Sequence, residues 1–379
     1  TQWVSPKDMG GSVVHRTEDH VTQVALSEEN LTVYDPGSVM VVFRSGVLRH
    51  TFPVATCNRL FTVNQDMKVL SPGSEVDNRF AFYLIDHLGP VVLQKATKVG
   101  TTVESVDTDS FMSLSVGVPR LDEQRRIADV LDTVDAAIQE TDAVVEKQDE
   151  VKTGLLQDLL TRGLDANGRL RDPDRDPEAF RETGLGVLPE AWEVVRVDEV
   201  CKLGRGRVIS QKEIRANPGP YPVYSSQTSN DGVMGRISTH DFKGELVTWT
   251  TDGANAGTVF HREGRFNCTN ICGTLDKATA GLSMKYLAAA LSREAQKHVR
   301  HVGNNKLMNN EMAEVKFALP SLEEQQRIVE KVECLKSLID TEQEYLEKLK
   351  RLRNSLMQDL LTGRVRVPKA EDRVDEVLA

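Results

Sequence analysis

The sequence predicts an α+β protein: two mixed α/β domains at opposite ends of a long antiparallel two-helix coiled coil, duplicated about a pseudo-twofold axis. Three observations predict it. The pentapeptide QDLLT occurs at 157–161 and again at 358–362. The flanks repeat at the same offset of 201, with VPRLDEQRRI (118–127) matching LPSLEEQQRI (319–328). Between these blocks the apolar residues follow a heptad. An ungapped repeat of more than forty residues indicates one continuous element, because insertions gather in loops.

The heptad runs through Ile328, Val332, Leu335, Ile339, Glu342, Leu346, Leu349, Arg353, Leu356 and Leu360 in the second copy. The first copy places Ile127, Leu131, Val134, Ile138, Thr141, Val145, Gln148, Lys152, Leu155 and Leu159 at the same steps. Alternating steps of four and three over almost five heptads predict coiled-coil helices. Ser321 and Glu324 form an expected capping box, and Arg120 replaces that serine in the first copy. Gly163 and Gly363 stand where helix-ending glycines belong. Polar breaks at Thr141 and Glu342, and at Lys152 and Arg353, are expected at matching heights, where they would set the register.

A helix of about 40 residues is roughly 60 Å long and cannot bury an apolar stripe alone. The other copy is the expected partner. A linker of about 25 residues follows the first helix. An antiparallel pair leaves it relaxed, whereas a parallel pair requires it to span the helix length at about 3.3 Å per residue. The expected organisation is a first head over 1–117, a helix over 118–165, a linker over 166–182, a second head over 183–318, a helix over 319–365 and a tail over 366–379.

The heads resemble each other only in parts. FAFYLIDHL before KVG parallels SMKYLAAAL before HVG, aligning Tyr83 with Tyr286 and Gly100 with Gly303. TCNRLFTV resembles CTNICGTL, placing Asn58 opposite Asn270. LVTWTT (246–251) reads as a strand, GTVFHREGRFN (257–267) as a hairpin turning at Glu263-Gly264, and 283–299 as a helix capped by Ser283. The first head begins near WVSPKDM, roughly where the second has YPVYSSQ. It lacks a counterpart to LPEAWEVVRVDEVCKLGRG (188–206), and the chain opens on Thr rather than Met. One or two further N-terminal strands are therefore expected.

Composition narrows the class. The chain has 379 residues, 27% charged and 39% hydrophobic, with no apolar run long enough for a membrane span and no signal peptide. Five cysteines, an odd and sparse set, suggest a reducing, cytoplasmic setting. Cys268 and Cys272 have no further Cys or His pair at metal-ligand spacing, so buried thiols are expected and no metal. Trp3, Trp192 and Trp249 are expected in cores. Net charge is −10, yet its distribution matters more than its sum. The first repeated segment is the most acidic part, which a solvated helix face explains. The second head is the only net basic part.

The order of head, helix with P-x-L-x-E-Q-x-R-I and QDLLT, second head and second such helix resembles the DNA-specificity subunit of type I restriction-modification systems. WVSPKDM, YPVYSSQ and TNICGTL also look like that family's target-recognition domains. The resemblance implies two recognition domains reading the halves of a split sequence in double-stranded DNA. It implies helices that act as a ruler and dock two methyltransferase subunits, with nuclease-translocase subunits completing the complex. S-adenosylmethionine, ATP and Mg are implied for those partners and none for this chain. A turn of DNA advances roughly 34 Å, so two heads on such a rod could meet one face of the duplex about a turn apart.

Candidate DNA contacts follow from residue chemistry: cations for phosphates, Gln and Asn for adenine edges. In the second head they are Arg205, Arg207 and Lys212; Ser225, Ser226, Gln227 and Asn230; and Lys297, Arg300, His301, Asn304, Asn305 and Lys306. His298 belongs to the last stretch, and Thr250, Thr251, Asp252 and Asn255 read first as a tight turn. In the first head they are Arg44, Arg49 and His50, then Gln94, Lys95, Lys98, Thr101 and Thr102. Each set has a plainer reading as solvated loop polarity. The chain carries no G-x-x-x-x-G-K-[ST] loop, NPGPY lacks the second proline of an adenine-methyltransferase motif, and no paired-carboxylate-plus-lysine nuclease motif stands out. These absences fit a recognition subunit without its own active site. A methylation-only or other defence complex with the same reader, or a coiled-coil scaffold binding only proteins, are the other classes.

Overall fold

The structure is a computed structural model that describes residues 1–29, 31–98, 103–301 and 303–367. Four helices organise it: α1 (Asn78–His87), α2 (Leu121–Thr161), α3 (Met284–Glu294) and α4 (Leu322–Leu361). The chain divides into two compact units, the first Thr1–Val144 with Glu342–Ala379 and the second Val145–Thr341. Helices α2 and α4 each pass from one unit into the other. Their 41 and 40 residues make each roughly 60 Å long. Acidic first turns, Asp122 and Glu123 in α2, Glu323 and Glu324 in α4, suit the positive end of the helix dipole. Gly163 and Gly363 end them at φ +64° and +71°, the left-handed cap glycine adopts without strain.

All twenty heptad positions are buried or half-buried. In the first unit Ile127, Leu131, Met357, Leu360 and Leu361 share one core with the head. In the second, Leu159, Leu160, Ile328 and Val329 do the same. The helices run in opposite senses in each unit taken alone. In the first, Arg353 Nε of α4 donates to Asp135 of α2 at 2.5 Å, and Arg366, just past α4, pairs with Glu123 at the start of α2. In the second, the Leu164 N–H just past α2 donates to Glu324 at the start of α4, at 2.8 Å.

Two expectations for the rod are corrected. Lys152 and Arg353 do not form a matched pair of breaks: Lys152 pairs with Asp149 of its own helix, while Arg353 meets Asp135 and Asp86. Residues related by translation along the sequence do not face each other in an antiparallel pair. The capping box at Ser321 is half-formed. Ser321 Oγ accepts the Glu324 N–H at 3.3 Å, but the Glu324 side chain turns away to Leu164, Arg171 and Trp192.

The first unit has a four-stranded sheet of β1 (Val13–Val14), β2 (Val39–Val42), β3 (Val54–Cys57) and β4 (Met67–Leu70), ordered β1-β3-β2-β4. The second has six strands: β5 (Cys201–Arg205), β6 (Pro218–Tyr224), β7 (Val233–Ile237), β8 (Phe242–Thr250), β9 (Val259–Cys268) and β10 (Cys272–Lys277), ordered β5-β10-β8-β9-β6-β7. The core is the same in both. β1 joins β3 in parallel, and β2 pairs antiparallel with β3 and β4. β6 joins β9 in parallel, and β8 pairs antiparallel with β9 and β10. Helix α1 packs on β3 and β2, and α3 on β9 and β8. The second unit flanks this core with β5 and β7.

The hairpin expected at Glu263-Gly264 is also corrected. β9 runs straight through those residues, with Gly264 opposite Gly244 in the ladder. Both glycines have positive φ, +93° and +112°, yet the ladder keeps its register through the pair and the chain does not reverse. The reversal lies between Thr250 and Val259, where Gly253 and Gly257 have φ +97° and +84°.

The repeated E-Q-x-R is a joint, used twice. Gln124 and Gln325 are both fully buried. Gln124 Oε1 accepts the N–H of Asp77, the cap of α1, at 2.8 Å, while Nε2 donates to Glu75 and Pro119 carbonyls. Gln325 repeats this with Ser283, the cap of α3, and the Gly281 and Pro320 carbonyls. The glutamine thus ties each long helix to its own head's helix. The glutamate and arginine hold the chain leaving the other long helix: Arg126 donates to Val367 O and Arg327 to Ala166 O.

Gly363→Ala is expected to cost about 1 kcal/mol, the strain of a left-handed alanine, because no neighbour lies within 4 Å of an added Cβ. Chemical denaturation of the pair of proteins measures it.

Candidate nucleic-acid interface

In the second unit the strand ends bring four polar stretches together. β5 ends at Arg205, opposite Gly273, and β8 ends at Thr250, opposite Cys272. Arg205 Nε donates to Asn270 O at 2.6 Å and Nη2 to Thr251 Oγ1 at 3.2 Å. Gly253 N donates to Asn305 O, and Asn255 Nδ2 to Ser226 O at 3.2 Å. The loops after β5, β6, β8 and α3 therefore adjoin. Gly206 lets them approach: a Cβ there would fall 2.2 Å from Cys268 O.

The candidate side chains divide by how far their charge is already used. Arg207 is held by Glu213 at 2.7 Å and Asp241 at 3.0 Å, and the Glu213 hydrogen bond raises the pKa of a guanidinium that is charged in any case. Lys297 pairs with Glu294, Arg300 with Glu311 at 2.8 Å, and Lys306 lies 3.8 Å from Asp252. Lys212 is exposed and has no ion-pair partner among the described residues. Arg300 and Lys306 exchange backbone hydrogen bonds across a loop turning at Gly303, φ +74°. His301 Nδ1 lies 3.0 Å from Asn305 Oδ1, and Asn304 is exposed. Ser225 is buried, Gln227 Nε2 donates inward to Val233 O at 2.6 Å, and Asn230 adopts φ +49°.

Arg262 escaped the sequence reading. Its side chain is 3% exposed, with the guanidinium 3.7 Å from the Tyr224 ring centre and 4.3 Å from that of Phe260. It donates to Asp231 Oδ2 at 2.5 Å and to Asp231 O at 2.9 Å. Asn230, Asp231 and Gly232 all have positive φ, a strained run that persists only where its surroundings hold it. Arg262 holds it. An arginine spaced between aromatic residues on adjoining strands was the available signal, hidden because the hairpin was placed at Glu263.

In the first unit, Gly46–Arg49 forms a 3-10 turn. Arg44 bridges to Ser105, and Arg49 Nε donates to Glu104 at 2.6 Å, holding that carboxyl below its usual range. Lys98 pairs with Asp107, and Thr97–Lys98 runs antiparallel to Ser105–Val106. The two candidate stretches of this head therefore meet through residues 104–107. His50, Gln94 and Lys95 are exposed. Thr101 and Thr102 lie outside the described residues, as does Gly100.

Cys57, Cys201, Cys268 and Cys272 are buried and Cys334 is exposed. Burial pushes the Cys201 thiol up to about 12 and raises Cys268 and Cys272 as well, so these remain thiols at neutral pH. Trp192 and Trp249 are core residues, each 1% exposed, and Trp3 is half-buried. Among the described residues no helix is long and apolar enough to cross a membrane.

Two unlike polar loop sets on one repeated frame, tied to paired long helices, define a class of duplicated recognition proteins. The family described as type I restriction modification DNA specificity domain matches residues 1–147 and 189–351, and the chain belongs to it. An N-terminal type I specificity subunit segment of Mycoplasma pneumoniae is 47% identical over 134 residues, 35% of this chain and 72% of that segment. The MpnII specificity subunit of the same organism is 43% identical over 140 residues, 37% of this chain and 42% of that subunit. For the EcoR124I/EcoR124II specificity subunit of Escherichia coli the figures are 34% over 133 residues, 35% and 33%. These two alignments therefore span less than half of either subunit. The solved S subunit of a type I system from M. genitalium superposes with TM-score 0.59 at 16% identity, over 88% of this chain and 84% of that one, a likeness of fold.

Proposed function

We propose that this chain is the DNA-recognition subunit of a type I restriction-modification complex, without catalysis of its own. Each head reads one half of a split, asymmetric site in double-stranded DNA, and the long helices set the unread spacing. The observation that supports this reading most is the contrast between the heads. They share one strand order and one glutamine joint, yet present different polar stretches: 44–50 with 94–98 and 103–107 in the first, 205–212, 225–231, 250–257, 297–301 and 303–306 in the second. A constant frame with variable loops is how a recognition surface changes specificity without changing fold.

The partners belong to the same reading. Two methyltransferase subunits dock on the helices and nuclease-translocase subunits complete the enzyme. Those partners bring S-adenosylmethionine, ATP and Mg. The complex works in the cytoplasm. The mostly neutralised loop cations fit a reader whose affinity depends on its partners, since phosphate contacts supply most of the sequence-independent binding.

The test is a head exchange. Replacing residues 183–318 with the equivalent part of another family member, in the complex with methyltransferase, should change one half of the methylated sequence and leave the other. A change in both halves, or in neither, defeats the reading. Lys212→Ala should weaken binding evenly across sequences and lower the slope of log affinity against log salt by about 1; gel shifts at several salt concentrations measure it.

A further inference from the structure

Val208, at the tip that follows β5, is 72% exposed, more than any other large apolar residue described in the second unit. A lone exposed valine is ordinary on a protein surface. This one is set apart by how its neighbours are fixed and by what lies around it.

The chain on either side of Val208 is anchored. Gly206 N–H donates to Cys272 O at 3.1 Å and Arg207 N–H to Cys268 O at 3.2 Å. The Arg207 guanidinium pairs with Glu213 and Asp241 and also donates from Nη1 to the Val208 carbonyl at 3.3 Å. Ile209, next along, is 5% exposed in a small core with Ile214, Val223 and Ile237. Ser210 then accepts the Glu213 N–H at 3.1 Å and caps the short helix Gln211–Ala216. Both neighbours are therefore committed, Arg207 to carboxylates and Ile209 to the core, while Val208 projects into solvent. Its branched Cβ makes the one side-chain torsion stiff, so little freedom is lost on contact.

The surroundings are polar. The 269–271 turn ties this tip to the loop after β6, because Thr269 N–H donates to Tyr224 O at 2.9 Å and Asn270 O accepts from Arg205 Nε at 2.6 Å. Lys212, in the first turn of the short helix, is exposed. Cations and amides find partners all over a duplex, on phosphates, sugars and base edges. An aliphatic group has far less choice. In the major groove the one apolar group carried by a base edge is the C5 methyl of thymine.

We propose that Val208 is a specificity-determining residue that packs on the 5-methyl group of a thymine in the half-site read by the second unit. The inference rests on the reading of this chain as a DNA-recognition subunit and adds a contact to it. Arg207 is the positioning residue, since its guanidinium fixes the Val208 peptide between two carboxylates.

The test uses the complex with methyltransferase and duplexes carrying its methylated sequence. Each thymine of the half-site that changes on exchange of 183–318 is replaced in turn by deoxyuridine, which lacks only the methyl group. Gel shifts at one salt concentration give the affinities. One replacement should weaken wild-type binding about fourfold, the worth of roughly one methyl-sized group taken out of water. With Val208→Ser, thymine and deoxyuridine at that position should bind equally. The comparison is made within each protein, so a variant that is merely less stable cannot mimic the result. A half-site with no thymine on either strand, wild-type binding indifferent to every replacement, or a serine variant that still separates thymine from deoxyuridine each overturns the proposal and leaves the recognition reading standing. A wild-type complex that binds all sequences alike overturns both.

Discussion

Replacing Glu324 with alanine is expected to lower the stability of the second unit by about 3–5 kcal/mol. Its side chain is 6% exposed. One oxygen accepts the Leu164 N–H at 2.8 Å and Arg171 Nη1 at 2.6 Å; the other accepts Arg171 Nη2 and the Trp192 indole, both at 3.1 Å. Alanine leaves a buried backbone donor and a buried indole donor unmatched, and each costs about 1–3 kcal/mol. It also strands Arg171, 23% exposed, without its counter-charge. Glu324→Gln keeps the shape and some acceptors and should lose less. Urea denaturation of the full chain, read by tryptophan fluorescence, to which Trp192 and Trp249 of the second unit both contribute, separates the two. Equal midpoints for wild type and alanine variant would show that the cluster contributes nothing.

Arg262→Met should remove roughly 2–4 kcal/mol, combining charged hydrogen bonds with stacking over two rings. The larger consequence concerns the 225–231 loop. Without the two bonds to Asp231, the run of left-handed residues from Asn230 to Gly232 has lost its brace. Ser226, Gln227 and Asn230 then no longer hold one arrangement. In the complex, the methylated sequence should lose selectivity in one half and keep it in the other. Methylation mapping with the variant measures this, and an unchanged motif would remove the loop from the recognition surface.

Much of the architecture was legible because a heptad is a loud signal. Ile127 through Leu159 and Ile328 through Leu360 repeat the same apolar steps, and one stripe on a long helix has few places to go. Helix ends at Gly163 and Gly363 and the Ser283 cap follow from local chemistry, and the Ser283 side chain accepts the Tyr286 N–H at 3.3 Å. The heads were less legible. A Glu-Gly pair within a strand-like run reads locally as a turn, as at Gly264; its pairing with Gly244 is a cross-strand fact that no local window contains. The E-Q-x-R motif was plain as a repeat, yet its purpose depends mostly on partners distant along the chain, up to 243 positions away. Arg262 fell between these cases: Phe260 lies two residues away on its own strand, but Tyr224 and Asp231 come from the neighbouring strand and loop.

The division of the chain has a consequence for synthesis. The second unit is continuous, Val145–Thr341, whereas the first joins Thr1–Val144 to Glu342–Ala379. On a ribosome, the later-encoded half can close its core while the earlier-encoded half still waits for Met357, Leu360, Leu361 and Arg366. A nascent chain halted near residue 341 would thus display one finished reader and one with its apolar flank open, a substrate for chaperones until the last turns of helix emerge.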